Sequence, residues 1–573
     1  MKKLMNDADD FERETCEGVI AAYADCLDTL RDNERVIMSR YPQQPGKVGI
    51  VTGGGSGHLP IFMGYVGQGM LDACAVGNIF ASPSARTMAD AIAMSDHGSG
   101  VLCLYGNYGG DKLNFALARD IVALDGIDTK ELLVHDDVAS APTNLAGQRR
   151  GVAGMVYAFK IAGAASARGD NLKKVAEITQ HAIDATRSMG CALSACIVPR
   201  AGKPGFSIGD DEIEIGMGIH GERGIEVRKM MTANELAEAL FSNIEGELAL
   251  SSGDECSVMV NGLGSTPLEE QFIVYRRISQ LIESKGAKIV LPHVGEYGTS
   301  LEMAGLSLTI IKLDSELKEL LLAPARTPFY SNLNRIGVKG FAADSWTSMN
   351  DVKPERHHSD IDSSEERAAR STLISNGSID ARVIKQRFQA ISKAIDVESE
   401  YLTELDRQNG DGDLGISMKA GFKAICGKLD SENEMDLGRL FSLASLTLNE
   451  TAPSSLGTIL SIGLMGMAKL MLGRSSVSMS ELSSALQEGL ETIMRRTGTK
   501  PGEKTIIDAL RPAIETLQET LSLDEAARAA ANGSEATKQM LAKHGRAAYY
   551  GAKSLGVLDG GSAVGRIIFE SIR

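Results

Sequence analysis

None of the eight cysteines (16, 26, 74, 103, 191, 196, 256 and 426) pairs with another Cys or a His at CxxC or CxxH spacing. That leaves no zinc-finger or redox motif, and their apolar or helical surroundings predict reduced, buried thiols. Positive charge is in deficit: 59 Lys and Arg against 75 Asp and Glu give a net charge of −16. This disfavours nucleic acid or an anionic membrane as a general partner. The first fifteen residues, MKKLMNDADDFERET, are acidic and have no apolar segment, so no secretory signal is read there and a cytoplasmic protein is expected. Long apolar runs are also scarce. The one membrane-like stretch, 456–473, carries Lys469 and several small residues, which predicts a helix buried in a bundle rather than a span. No Walker A loop is present: in GTKPGEKT, Glu503 separates the Gly from the Lys and no strand precedes it.

The 573 residues exceed one core, and about 150 residues per domain suggests three or four. Apolar content of 43% and charged content of 23% fit a globular protein. Residues 47–58, KVGIVTGGGSGH, read as a buried strand running into a glycine loop closed by His58. The loop matches no dinucleotide fingerprint. Two further strand-like runs, GVLCLYGNYGGD (100–111) and ELLVHDDV (131–138), alternate with helical patterns, as in a parallel α/β sheet. Their carboxylates fall at the sheet edge where ligands gather. Asp111 is the candidate base, and at least one of Asp136 and Asp137 is expected to serve as a cap or a satisfied turn. EIGMGIHGERG (214–224) places His220 in another glycine loop. SVMVNGLGSTPLEE (257–270) and KIVLPHVGEYGTSLEMAG (288–305) predict a second α/β layer, with His293 an ordinary loop residue. From 331 to 378 the pattern dissolves into a polar linker that includes Trp346, His357 and His358.

Past 379 strand signals vanish. Helical windows near 380–405, 435–448, 455–472, 479–496, 503–521, 523–542 and 545–555 predict an all-α domain of about eight helices. In LTELDRQNGDGDLGISM (402–418), Asp406 ends a helix while Asp411 and Asp413 lie on the glycine loop that follows. Three carboxylates this close repel one another unless a cation sits between them, for which Mg²⁺ or Ca²⁺ suits oxygen ligands; the other reading is an Asp/Gly-rich turn that ends the helix. An EF-hand is excluded, because Asp411 and Ser417 occupy the positions where it needs Gly and Glu. Turns at helix N-termini around Ser454, Ser455, Gly502, Lys504 and Thr505 could offer N–H groups to phosphate, with Arg546 adding charge.

Together these motifs resemble the dihydroxyacetone kinase family in its single-chain, ATP-using form. GGGSGH, GNYGGDKLNF, GQRRGVAG, GMGIHGERG, VNGLGSTPLEE and GTSLEMAG match its ketose-binding half, and DGDLG, GEKTIIDAL and GRAAYYGAKSLG its nucleotide-binding half. The resemblance implies an α/β ketose-binding region over 1–330, in two subdomains divided near 185–200. A linker over 331–378 and an all-α bundle or barrel over 379–573, binding ATP and Mg²⁺, would follow. It further implies a hemiaminal between His220 and the substrate carbonyl, Asp111 as general base and His58 as hydrogen-bond partner. Gly55 and Ser56 would lie beside the substrate, Asp406, Asp411 and Asp413 would hold Mg²⁺, and the protein would be a homodimer. The departures are Gly106, where relatives carry Lys, Leu456 where Gly is common, and DGGS (559–562) in place of D-P-G-A. Gly106 predicts extra room and hence a larger ketose such as erythrulose. Two alternatives stand beside a ketose kinase: cleavage of FAD to a cyclic flavin phosphate, and a non-catalytic ketose and nucleotide sensor.

Overall fold

The computed structural model describes residues 2–41, 44–200, 202, 204–333, 378–407, 414–452, 454–544 and 555–573. The chain divides into two compact units, Met1–Ile336 and Gly337–Arg573.

The first unit opens with α1 (Phe11–Ala22), β1 (Leu27–Leu30), β2 (Asn33–Ser39), β3 (Gly49–Gly55) and β4 (Ala73–Gly77). It continues through α2 (Ala85–Ser95), β5 (Val101–Gly106), α3 (Gly109–Ala123) and β6 (Thr129–Val134). These strands form a sheet in the order β1-β2-β4-β3-β5-β6. β4, β3, β5 and β6 run parallel, while β2 joins β4 antiparallel. Every residue of β3, β4 and β5 is buried, as expected for parallel strands covered on both faces. Next come α4 (Met155–Ala167) and α5 (Leu172–Asp184). α4 is buried nearly all round, and its small residues let it close on its neighbours: a Cβ at Gly163 would come 2.4 Å from the Met70 backbone.

A second sheet is built from β7 (Thr186–Ser194), β8 (Glu212–Ile215), β9 (Glu226–Lys229), β10 (Glu255–Gly262), β11 (Lys288–Ile289), β12 (His293–Gly295) and β13 (Ala304–Leu313). α6 (Ala233–Leu248), α7 (Leu268–Ser284) and α8 (Ser315–Leu322) accompany it. The expected second α/β layer is therefore present, but its sheet is mixed. The run β10-β13-β7-β8-β9 is antiparallel throughout, and only β11 and β12 lie parallel to β10. The apolar faces of α6 and α7 (Leu240, Ile244, Val274, Ile278) bury against Val258, Val260, Leu308 and Ile310.

Among the described residues the second unit has eight helices: α9 (Ala381–Arg407), α10 (Leu414–Ser431), α11 (Leu437–Thr451), α12 (Ser455–Met471), α13 (Met479–Thr497), α14 (Ile507–Thr520), α15 (Leu523–Ala536) and α16 (Gly560–Ser571). One short ladder, β14 (Ile379–Asp380) with β15 (Ser476–Val477), accompanies them. Each helix packs on the next in sequence and α16 returns to α9, which closes the ring. α10 and α16 fall outside the windows read from the sequence, and the window 545–555 lies almost wholly outside the described residues. The membrane-like stretch forms α12, buried between α11 and α13. Among the described residues no helix is long and apolar enough to cross a membrane.

Candidate active site

In the first sheet the chain leaves β3 for β4 on one side, then crosses to β5 on the other. A crevice opens at the carboxyl ends of two parallel strands where the order reverses in this way. The end of β3 supplies Gly53 to Gly55, and a short turn carries Ser56 and His58; the end of β5 supplies Gly106, and the first turn of α3 supplies Asp111. From the second sheet, the β8–β9 connection delivers His220 and Glu222. They enclose a cavity of about 310 Å³, lined also by Phe62, Phe80, Ser82, Tyr108 and Ile219. Gly55 admits no side chain, since a Cβ there would lie 2.4 Å from the Ile79 carbonyl oxygen. Ser56 is buried one step behind the lining residues, and its Oγ has no hydrogen-bond partner among the described residues.

His58 is fully buried, and its Nδ1–H donates to the Thr299 carbonyl at 2.9 Å. That leaves Nε2 as an acceptor without a partner among the described residues. Burial pushes the His58 pKa down to about 3, and neighbouring His220 adds to the effect. The ring stacks on Phe80 at 4.9 Å and meets His220 edge-on at 4.5 Å. His220 Nδ1–H donates to Glu222 Oε1 at 3.0 Å, and its backbone N–H donates to Oε2 at 2.9 Å. No described residue hydrogen-bonds His220 Nε2. Burial works to raise the Glu222 pKa, yet the hydrogen bond and charge of His220, together with Arg150, hold it at about 2. Arg150 is itself anchored on Asp137 through Nε at 2.9 Å and Nη2 at 2.7 Å. Sequence reading gave no role to Glu222 or Arg150. A signal was there in HGE and QRRG, but only the folded loop joins the two.

One carboxyl oxygen of Asp111, Oδ1, is buried without a partner among the described residues. Burial lifts its pKa to about 6, against the opposing pull of the Ser82 hydroxyl and His220. Asp136 and Asp137 do structural work: Asp136 accepts from the Val152 and Gly154 N–H groups and from the Ser188 hydroxyl, and Asp137 pairs with Arg150. His293 is not a loop residue. It opens β12, buried among Tyr157, Tyr297 and Tyr330, away from the cavity. The room expected above Gly106 is also corrected. A Cβ there would meet the Tyr108 ring at 3.0 Å and Met155 Sδ at 3.2 Å, so Tyr108, 4.6 Å from His220, already holds that space.

In the second unit, Asp406 stands on the last turn of α9, while Asp411, Asp413 and Arg546 lie outside the described residues. Among the described residues no group of three acidic, His or Cys side chains is arranged to hold a metal. Ser454 caps α12, accepting from the Gly457 N–H at 3.2 Å, and Ser455 begins the helix. The Gly502 and Thr505 N–H groups, offered above to phosphate, donate instead to the Asp508 carboxylate at 2.6 and 2.8 Å. Lys504 is buried, and its ammonium donates to the carbonyls of Thr537 (2.9 Å) and Val557 (2.6 Å). Lys504 thus ties together the segments before and after residues 545–554.

Comparison with known proteins matches residues 17–329 to the Dak1 domain and residues 408–573 to the DAK2 domain. Over 100% of this chain and 96% of the relative, the sequence is 36% identical to an L-erythrulose kinase of Pectobacterium atrosepticum. A D-erythrulose kinase of Mycolicibacterium smegmatis is 34% identical over 98% of this chain and 96% of its own length. The triokinase/FMN cyclase of Homo sapiens is 30% identical over 100% of this chain and 98% of its own. Among solved structures, the dihydroxyacetone kinase from C. freundii in complex with AMP-PNP and Mg²⁺ aligns with a TM-score of 0.53 at 27% identity, covering 100% of this chain and 99% of the other.

Proposed function

The chain belongs to the dihydroxyacetone kinase family in its single-chain, two-domain form, and from that premise we propose that it is an ATP-dependent kinase of a small ketose. Erythrulose is the favoured substrate and dihydroxyacetone the alternative. The observation that carries the reading is the meeting of His58, Asp111 and His220 around one cavity. His220 Nε2, left with its lone pair when Nδ1–H bonds Glu222, adds to the ketose carbonyl and holds the substrate as a hemiaminal. A polyol has no carbonyl and is excluded. Asp111 takes the proton from the hydroxyl that receives the phosphoryl group, and His58 Nε2 accepts a hydrogen bond from the substrate. Asp406, Asp411 and Asp413 would hold Mg²⁺, which when bound neutralises charge on the ATP phosphates. The Ser454–Ser455 start of α12 suits a phosphate group. Gly502, Lys504 and Thr505 support that region, given the partners already bound to them.

A panel of dihydroxyacetone, D-erythrulose and L-erythrulose, with ADP release measured and the phosphorylated carbon assigned, tests this reading. Ketose-dependent ADP release is expected, highest with one erythrulose enantiomer. Activity on glycerol alone would refute it. Similarity to the human triokinase/FMN cyclase favours one second reading, cleavage of FAD to a cyclic flavin phosphate. Product analysis with FAD and Mn²⁺ separates the two.

A further inference from the structure

One carboxylate meets the His220 residue twice. Glu222 Oε1 accepts from Nδ1–H and Oε2 from the backbone N–H of the same residue, so ring orientation and loop backbone are clamped by a single group. A carboxylate that merely stapled this loop would need only the backbone bond. The sequence makes room for the clamp at Gly218, where a Cβ would lie 2.2 Å from Glu222 Oε2 and 2.6 Å from Arg150 Nη1. Behind it, Arg150 stands 3.8 Å from Oε2, held in place by buried Asp137 and by the Gly216 carbonyl at 3.2 Å. The other faces of the His220 ring meet His58, Phe80 and Tyr108, and Asp111 shares the cavity. Among the described residues Glu222 is therefore the ring's one hydrogen-bonded acid.

We infer that Glu222 is a positioning residue for ketose capture. It fixes His220 as the Nδ1–H tautomer, keeps the Nε2 lone pair toward the substrate carbonyl, and stabilises the imidazolium that develops as the N–C bond forms. The inference rests on the reading above, because it needs His220 as the nucleophile. In the step, the Nε2 lone pair forms the bond to carbon and the carbonyl π pair moves to oxygen. Nδ1–H stays hydrogen-bonded to the Glu222 carboxylate while solvent delivers one proton to the new alkoxide, and the imidazolium then releases its Nδ1 proton to solvent. The ring ends as a neutral N-alkylimidazole, and no net proton is consumed. Arg150, anchored on Asp137, keeps Glu222 an anion between turnovers.

The test uses the full chain and dihydroxyacetone labelled with ¹³C at the carbonyl. Wild-type protein at stoichiometric concentration should convert the carbonyl resonance into that of a tetrahedral carbon, and ¹⁵N spectra of histidine-labelled protein should show His220 protonated at Nδ1. Glu222→Gln keeps the shape and removes the charge. It should lower ketose kcat/KM about 10²-fold, diminish the tetrahedral signal and leave the KM for ATP unchanged. A Glu222→Gln protein with wild-type adduct and turnover overturns the role of Glu222 alone. A wild-type His220 protonated at Nε2 overturns it as well, a measurement that holds even if the variant does not fold. Absence of any tetrahedral carbon with wild-type protein overturns covalent capture and this inference together.

Discussion

As the proposed general base, Asp111 would set the pH dependence at the residue scale. Burial lifts its pKa to about 6, whereas in an unfolded chain an Asp titrates near 3.9. A general base must be ionised, so ketose kcat/KM should fall as the pH drops below about 6. His58, held near 3, stays neutral through that range. The same shift has a stability consequence of known sign. Ionising Asp111 costs the folded state above about pH 6, and the cost vanishes below the unfolded pKa, where both states are protonated. Asp111→Asn should therefore abolish most turnover yet raise the Tm of the first unit by a few °C at pH 8, the gain shrinking toward zero near pH 4. A variant that is active, or less stable at pH 8, would contradict this assignment. His58 and Asp111 stood out in the sequence because each follows a glycine loop beside a strand, and His220 because it lies between glycines; the roles proposed for them came from the family resemblance. Glu222 and Tyr108 did not stand out, because their roles depend on how the 216–225 loop folds back and on a ring filling the space over Gly106.

Elements were legible where their partners are close in sequence. β3 and β5, both fully buried, announce a parallel sheet because their strand-like runs alternate with helical patterns. The second sheet hides its direction because β7 pairs with β13 across the intervening strands and helices, and no local pattern encodes that pairing. α10 escaped notice because it follows directly on the aspartate-rich stretch of the sequence and carries Gly415, Gly421 and Gly427, which read as breakers. Gly415 and Gly421 have packing reasons, whereas a Cβ on Gly427 would meet open space. A Cβ on Gly415 would fall 2.0 Å from the Ser399 carbonyl oxygen and 2.4 Å from Thr403 Oγ1. Gly415→Ala should push α10 off α9, the helix that carries Asp406. The expected cost is about 1–3 kcal/mol in the second unit, read as a lower Tm and a raised KM for ATP with the ketose KM little changed. An unaltered Tm would show that α9 and α10 do not meet as described.

Over the whole molecule, the proposed function assigns ketose capture to the first unit and the Mg²⁺–ATP residues to the second, so the two functions should separate experimentally. Removing Mg²⁺ with EDTA should stop ADP formation while the tetrahedral ¹³C signal of captured dihydroxyacetone persists. Loss of that signal on chelation would place the metal at the wrong end of the chain. The most direct measurement compares ketose-dependent ADP release by the wild-type protein and His220→Ala, with ATP binding followed in parallel. The account predicts turnover with dihydroxyacetone or erythrulose in the wild type, and none above background in a variant that still binds ATP. Full turnover by His220→Ala would contradict it.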